Sequence, residues 1–175
     1  MSSVTNIDVA IIVGSKSDLP LIKESIEVLE EFGLSYTLNI ASAHRATQHL
    51  RQCIRSAESS DVKVFITVAG MAAALPGVVA SETVLPVIGV PVDSKNFLSL
   101  DALFSIVQMP KGVPVATVAV GKTGAINAAI LAVQIISVKD KGLNKKLKTY
   151  KNKMLENIIK DDFELQENGI ERYIL

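Results

Sequence analysis

Cysteine is almost absent from this chain. Cys53 stands alone among 175 residues, which excludes an internal disulfide and a cysteine-based zinc site and fits a reducing compartment. Aromatic residues make up only 5% of the sequence and the formal net charge is zero. The chain therefore lacks both the basic footprint of a nucleic-acid binder and the aromatic platforms on which single strands stack, and no nucleic-acid partner is expected. No apolar run reaches the roughly 18 residues that a membrane span needs, so no membrane association is expected. The opening Met-Ser-Ser-Val-Thr-Asn does not have the charged-then-apolar pattern of a secretory signal. The resulting expectation is a soluble, cytoplasmic protein. No group of His, Cys, Asp and Glu has metal-ligand spacing, and there is no G-x-S-x-G elbow, so no metal site is expected.

What the chain does have is apolar residues, 49% of the total, in short blocks. A length of this order makes about one domain, with a core that buries roughly two-thirds of the unfolded surface. "IDVAIIVGSKSD" reads as a strand ending at a Gly-Ser turn, with Asp18 and Pro20 marking the start of a helix that Gly33 stops after Phe32. "SYTLNI" reads as a second strand, about Ala46 to Ser59 as a helix, and "VKVFITVAG" as a third strand ending at glycine. "LPVIGVPV" and "VPVATVAVG" supply two further segments of strand length, and an alanine-rich helix from about Thr123 to Val138 follows. These strands are apolar throughout instead of alternating, the pattern of a parallel sheet covered on both faces. The expected fold class is α/β: a flavodoxin-like three-layer sandwich with a five-stranded parallel sheet, plus a C-terminal helical extension. The expected boundaries are 1–138 for the catalytic domain and 139–175 for the extension. In the extension Leu143, Leu147, Tyr150, Met154 and Ile158 recur at helical spacing, a face for its own domain or for a neighbouring subunit.

Ligands of such sheets bind outside the carboxyl ends of the strands. Those ends carry Gly14-Ser15-Lys16-Ser17-Asp18, Ser42-Ala43-His44-Arg45, Ala69-Gly70-Met71-Ala72 and the loop after Pro91. The first could cradle a phosphate with backbone N–H groups and hydroxyls, or Ser17 or Asp18 could simply cap a helix. A carboxylate at Asp18 would repel phosphate, so its natural partner in a nucleotide-like ligand is a hydroxyl donor such as a ribose. Arg45 offers a planar fork for phosphate, or a surface salt bridge. His44 could move a proton, its unperturbed pKa being about 6.5, or could be structural. His49 falls within the following helix and is given no role. The small residues around Gly70 and Ala72 suit either close approach of a flat ligand and exclusion of water, or tight helix-to-strand packing.

The succession "VGSKSDLP", "SAHRAT", "AGMAAALPGVVA", "LPVIGVPV" and "LDALFSIVQMPKGVPVATVAVGKTGAINAAILA" resembles the PurE family of purine biosynthesis from about Val9 to Ile136. "SIVQMPKGVPVAT" with "GAINAA" is the most specific part. The resemblance is to the mutase branch, and it implies an isomerisation without metal, nucleotide or organic cofactor. A carboxylate moves from the exocyclic nitrogen of an aminoimidazole ribonucleotide to carbon 4 of the ring, by release and recapture of carbon dioxide in a closed site. It also implies His44 as the proton-transfer residue, with Ser15, Asp18 and Arg45 on the substrate, Ser17 and Ser42 as further phosphate donors, and Gly70 and Ala72 in the small-residue wall. A homo-oligomer, an octamer with sites between subunits, is implied as well. The branch that uses free carbon dioxide carries an S-N pair after the "AG" of the third loop, where this chain has Met71-Ala72-Ala73. Against the family's usual pattern, Ala46-Thr47 stands for Thr-Pro, Ala74 for histidine and Ala102 for serine. The loss of that histidine motivates a third possibility, a ribonucleotide-binding module without turnover.

Overall fold

The computed structural model describes residues 7–174. The chain resolves into two compact units, Met1–Ile136 and Ser137–Leu175. In the first, five strands form one parallel sheet: β1 (Val9–Val13), β2 (Tyr36–Ile40), β3 (Val64–Ala69), β4 (Val87–Pro91) and β5 (Ala116–Thr117), in the order β2-β1-β3-β4-β5. β1 lies centrally, pairing Val9 with Tyr36 on one side and with Val64 on the other. β1, β3 and β4 are buried along their whole length, as their unbroken apolar sequences require of strands covered on both faces.

The helices of this unit are α1 (Lys23–Phe32), α2 (Thr47–Ser59), α3 (Leu75–Glu82), α4 (Leu100–Val107) and α5 (Gly121–Ser137). Ala10, Ile12, Phe65 and Val87 share one core cluster with Leu50 and Ile54 of α2, Val79 of α3 and Ile106 of α4. Alternation along the strands turns Val9, Ile11, Val13, Ile66 and Val68 to the opposite face. There α1 and α5 are tied together by the buried Ser25, whose Oγ donates to the Ala125 carbonyl at 2.7 Å.

Local structure corrects the sequence expectation in two places. The helix expected to start at Asp18, with Ser17 or Asp18 as a possible cap, opens as a 3₁₀ helix from Lys16 to Ile22, and its cap is Ser15. Ser15 is extended at φ −153 and its Oγ accepts from the Ser17 N–H at 3.4 Å. Pro20, which has no N–H to give, sits inside that turn, and α-helical bonding begins only at Lys23. The end is as expected: Gly33 adopts the left-handed conformation at φ 77, and Leu34 N–H closes back on the Leu29 carbonyl at 2.9 Å. The second correction is β5, which pairs only at Ala116 and Thr117. Its approach is taken up by a turn in which Val113 N–H bonds the Pro110 carbonyl, with Gly112 at φ 96 and Pro114 unable to donate.

The second unit holds α6 (Lys141–Asn168) and α7 (Glu171–Ile174). Asp140 caps α6, its Oδ1 accepting from Gly142 N–H at 2.8 Å and Leu143 N–H at 3.0 Å. Of the apolar stripe expected on this helix, Leu143 and Leu147 are buried, whereas Met154 and Ile158 are exposed. No helix among the described residues is long and apolar enough to cross a membrane.

Candidate functional site

Strand order reverses direction between β1 and β3, which leaves a crevice outside their carboxyl ends. A cavity of about 600 Å³ occupies that place. Four loops line it, each continuing a strand: Gly14 to Asp18 after β1, Ser42 to Arg45 after β2, Ala69 to Leu75 after β3, and Val92 with Ser94 after β4. Ser15, Ser17, Asp18, Ser42, His44, Arg45, Gly70 and Ala72, read from separate segments of sequence, all border this one space.

The first loop is fixed at its root, where Gly14 N–H bonds the Val68 carbonyl at 3.0 Å and ties β1 to β3. Ser17 Oγ lies 3.0 Å from Ser15 Oγ and 3.1 Å from Asp18 Oδ1, so two hydroxyls and a carboxylate form one connected polar rim. Burial raises the Asp18 carboxyl pKa above its ordinary 3.8, while hydrogen bonds from the Ser17 side chain and the Ser15 backbone pull it down. A carboxyl whose folded pKa is raised binds more protons folded than unfolded just above pH 3.8, so stability falls as pH rises through that window. The penalty is then fully present at neutral pH. Asp18→Asn is accordingly expected to melt higher than the parent at pH 7, with the difference vanishing as the pH is lowered below 4, as thermal melts across pH would report.

In the second loop Ser42 organises Arg45: its Oγ accepts from both the Arg45 N–H and Nε–H at 3.3 Å. Among the described residues no carboxylate pairs with the Arg45 guanidinium. The salt-bridge alternative for Arg45 is thus absent among the described residues. His44 is exposed and makes no hydrogen bond to any described residue. The turn itself is closed without it. Ala46 N–H bonds the Ser42 carbonyl at 3.0 Å, and Thr47 Oγ1 donates to the Ala43 carbonyl at 2.9 Å.

The third loop forms the apolar wall. A Cβ on Gly70 would come within 3.1 Å of Val92 Cβ, so glycine is what lets this loop lie against the end of β4. Met71 takes the left-handed conformation at φ 58 and is 71% exposed at the crevice. Ala74 precedes α3 and also borders the space. Ala102 does not: it is fully buried in the core on α4, where a methyl needs no partner.

Ser94 and Val92 were not singled out from sequence, although they follow Pro91 at the end of β4, and the strand-end rule alone points there. Ser94 is held through its backbone: its N–H bonds Ser99 Oγ at 2.8 Å, and that hydroxyl contacts the Ser94 carbonyl at 3.1 Å. His49 lies outside the crevice, its Nε2 3.6 Å from Cys53 Sγ. Among the described residues no three His, Cys, Asp or Glu side chains converge as a metal-binding group. In chemical terms the crevice brings together serine hydroxyls, a carboxylate, a guanidinium, one imidazole and a wall of small residues.

Known proteins share this arrangement of chain. A family model described as AIR carboxylase matches residues 8–157. An N5-carboxyaminoimidazole ribonucleotide mutase of Pyrococcus horikoshii is 48% identical over 166 residues, covering 95% of this chain and 93% of the relative. The mutase of the same name from Thermotoga maritima is likewise 48% identical over 166 residues, covering 95% of this chain and 96% of its own. In three dimensions the crystal structure of Treponema denticola PurE superposes with a TM-score of 0.83 at 34% identity, covering 90% of this chain and 97% of that one.

Proposed function

The chain belongs to the AIR carboxylase family, and we propose that it acts as an N5-carboxyaminoimidazole ribonucleotide mutase in purine biosynthesis. The observation that carries the mechanism is the pairing, in one crevice, of an unpartnered imidazole at His44 with a guanidinium at Arg45 that Ser42 braces. Arg45, with the hydroxyls of Ser15, Ser17 and Ser42, binds the substrate phosphate, a planar fork and short donors being suited to its oxygens. Asp18 accepts from the ribose hydroxyls. The flat aminoimidazole then lies along Gly70 and Ala72.

The bond from the exocyclic nitrogen to the carboxylate carbon breaks, releasing carbon dioxide, and His44 supplies the proton that the nitrogen takes up. The ring carbon, made nucleophilic by the amino group, attacks carbon dioxide before it can diffuse away. The new carbon–carbon bond leaves a proton on that carbon, and His44 removes it to restore aromaticity. Atoms balance and nothing is oxidised or reduced: the product is an isomer, 4-carboxy-5-aminoimidazole ribonucleotide. The alanines of the third loop serve the step that is most easily lost, since an apolar wall keeps water out and carbon dioxide in.

Residues 1–138 carry this chemistry. In the single chain His44, Arg45 and Met71 are exposed, and a homo-octamer with sites between subunits supplies the missing cover. The setting is the cytoplasm, where the pathway's labile substrate is made and consumed. As a companion to its effect on stability, Asp18→Asn is expected to weaken ribonucleotide binding about tenfold, because the ribose donors lose a charged acceptor.

Assaying purified protein with each ribonucleotide, with and without bicarbonate, separates the readings. Carbon-carboxylated product from the carboxyamino substrate without added bicarbonate is the expected result. Strict dependence on bicarbonate with the uncarboxylated ribonucleotide would move the assignment to the carboxylase, a reading that the family model's description keeps in view. Binding of both without product would leave a ribonucleotide-binding module, the outcome that Ala74 motivates.

A further inference from the structure

α6 runs unbroken for 28 residues, and every residue from Lys151 to Ile174 is exposed. At 100° per residue, Met154, Leu155, Ile158, Ile159 and Leu165 gather on one side of its second half. Met154 is 54%, Leu155 59%, Ile158 67% and Ile159 58% exposed, a contiguous apolar face in water. Two charged residues interrupt the face, Lys151 near one end and Asp162 near the other, about three turns apart. Lys151 has no ion-pair partner among the described residues, and Asp162 receives only a 3.5 Å contact from Gln166.

A face with a cation at one end, an anion at the other and apolar residues between is complementary to itself when turned end for end. In an antiparallel pair crossing between Glu156 and Asn157, Lys151 meets the partner subunit's Asp162, and symmetry repeats the match. Within the same register Leu155 meets the partner subunit's Ile158, and Met154 meets the partner subunit's Ile159. The remaining charges agree. Lys141 to Lys153 contains six lysines and no acidic residue, whereas Glu156 to Glu167 contains five acidic residues and one lysine. A parallel pair would instead set lysines against lysines and acids against acids, a repulsive arrangement at every turn.

We propose that α6 docks antiparallel on α6 of a second copy of this chain, in the register set by Lys151 and Asp162. Burying these opposed charges without a partner would be costly, so the pair selects the register, while the apolar face provides most of the attraction. The pairing is independent of the catalytic reading, and its failure would leave the turnover assay untouched.

Cross-linking tests it directly. Full-length chains carrying Leu155→Cys and Ile158→Cys are co-expressed and mildly oxidised; Cys53, only 8% exposed, stays out of reach. A disulfide-linked dimer of the two variants is expected, in excess over either variant alone. Adding Lys151→Asp to both chains opposes two carboxylates and is expected to lower the yield about tenfold. Adding Asp162→Lys as well reverses both charges and is expected to restore it. Absence of the dimer in the first pair, the result if α6 packs on any other partner or on its own chain, overturns the proposal. Equal yields in all three backgrounds, or no recovery on double reversal with helicity intact by circular dichroism, overturn it too.

Discussion

Turnover of the His44→Asn variant is expected to fall by about a hundredfold or more, while substrate affinity stays within about tenfold. Asparagine preserves much of the polar volume and can still donate a hydrogen bond, but it cannot accept a proton from the ring carbon or deliver one to the departing nitrogen. A hundredfold loss corresponds to about 2.7 kcal/mol of barrier, the lower end of what positioned acid–base groups contribute. The structure makes this a clean test. His44 is exposed and has no hydrogen bond to a described residue, so its replacement leaves no buried group unsatisfied. The melting temperature is therefore expected to match the parent within about a degree, surface changes of this kind costing little. Steady-state kinetics beside a thermal melt would decide the matter. Near-normal turnover would remove His44 from the mechanism, and a large fall in stability would show that the loss is not chemical.

The second large effect concerns the fold that holds the crevice. Gly124 lies in the first turn of α5, where a Cβ would collide with the backbone carbonyl of Ala119. That obstacle belongs to the main chain linking β5 to α5 and cannot rotate away as a side chain would. Relief requires moving α5, along which Ala125, Ala128, Ala129, Ala132 and Val133 are fully buried. Gly124→Ala is expected to cost about 3 kcal/mol or more, a large share of a typical total of roughly 5–15 kcal/mol, and to lower Tm by about 6–12 °C. Gly77→Ala is the control. Its Cβ would meet only the flexible end of Met109, at 3.3 Å, in a helix where alanine is intrinsically preferred. Equal melting temperatures for the two variants would refute the steric argument. The clash also gives a physical reason for glycine at the head of "GAINAA", the block that counted most in the family resemblance.

Much of the candidate site was legible because strand ends announce themselves. Gly14, Gly70 and the polar or small residues beside them follow apolar runs too short for helices, and a parallel sheet gathers such ends on one edge. The roles of individual residues were less legible. Ser15, not Ser17 or Asp18, became the cap, because a cap depends on which residue is extended when the turn tightens around Pro20. Arg45 could have been a surface ion pair until the fold left it braced by Ser42 and without a described carboxylate. Ala102 looked like a lost hydroxyl, and the fold put it in the core.

Sequence by itself determined the order of strands and helices in the first unit and the burial of β1, β3 and β4, since unbroken apolar runs of strand length call for cover on both faces. It also determined the family, through blocks too specific to recur by accident. Only the tertiary structure decided that β1 sits between β2 and β3, which brings residues 14–18, 42–45 and 69–75 around one cavity. Only it decided that His44 is left without a partner in the chain's described residues. Such outcomes depend on contacts between segments far apart in sequence, whose pairing no local period encodes.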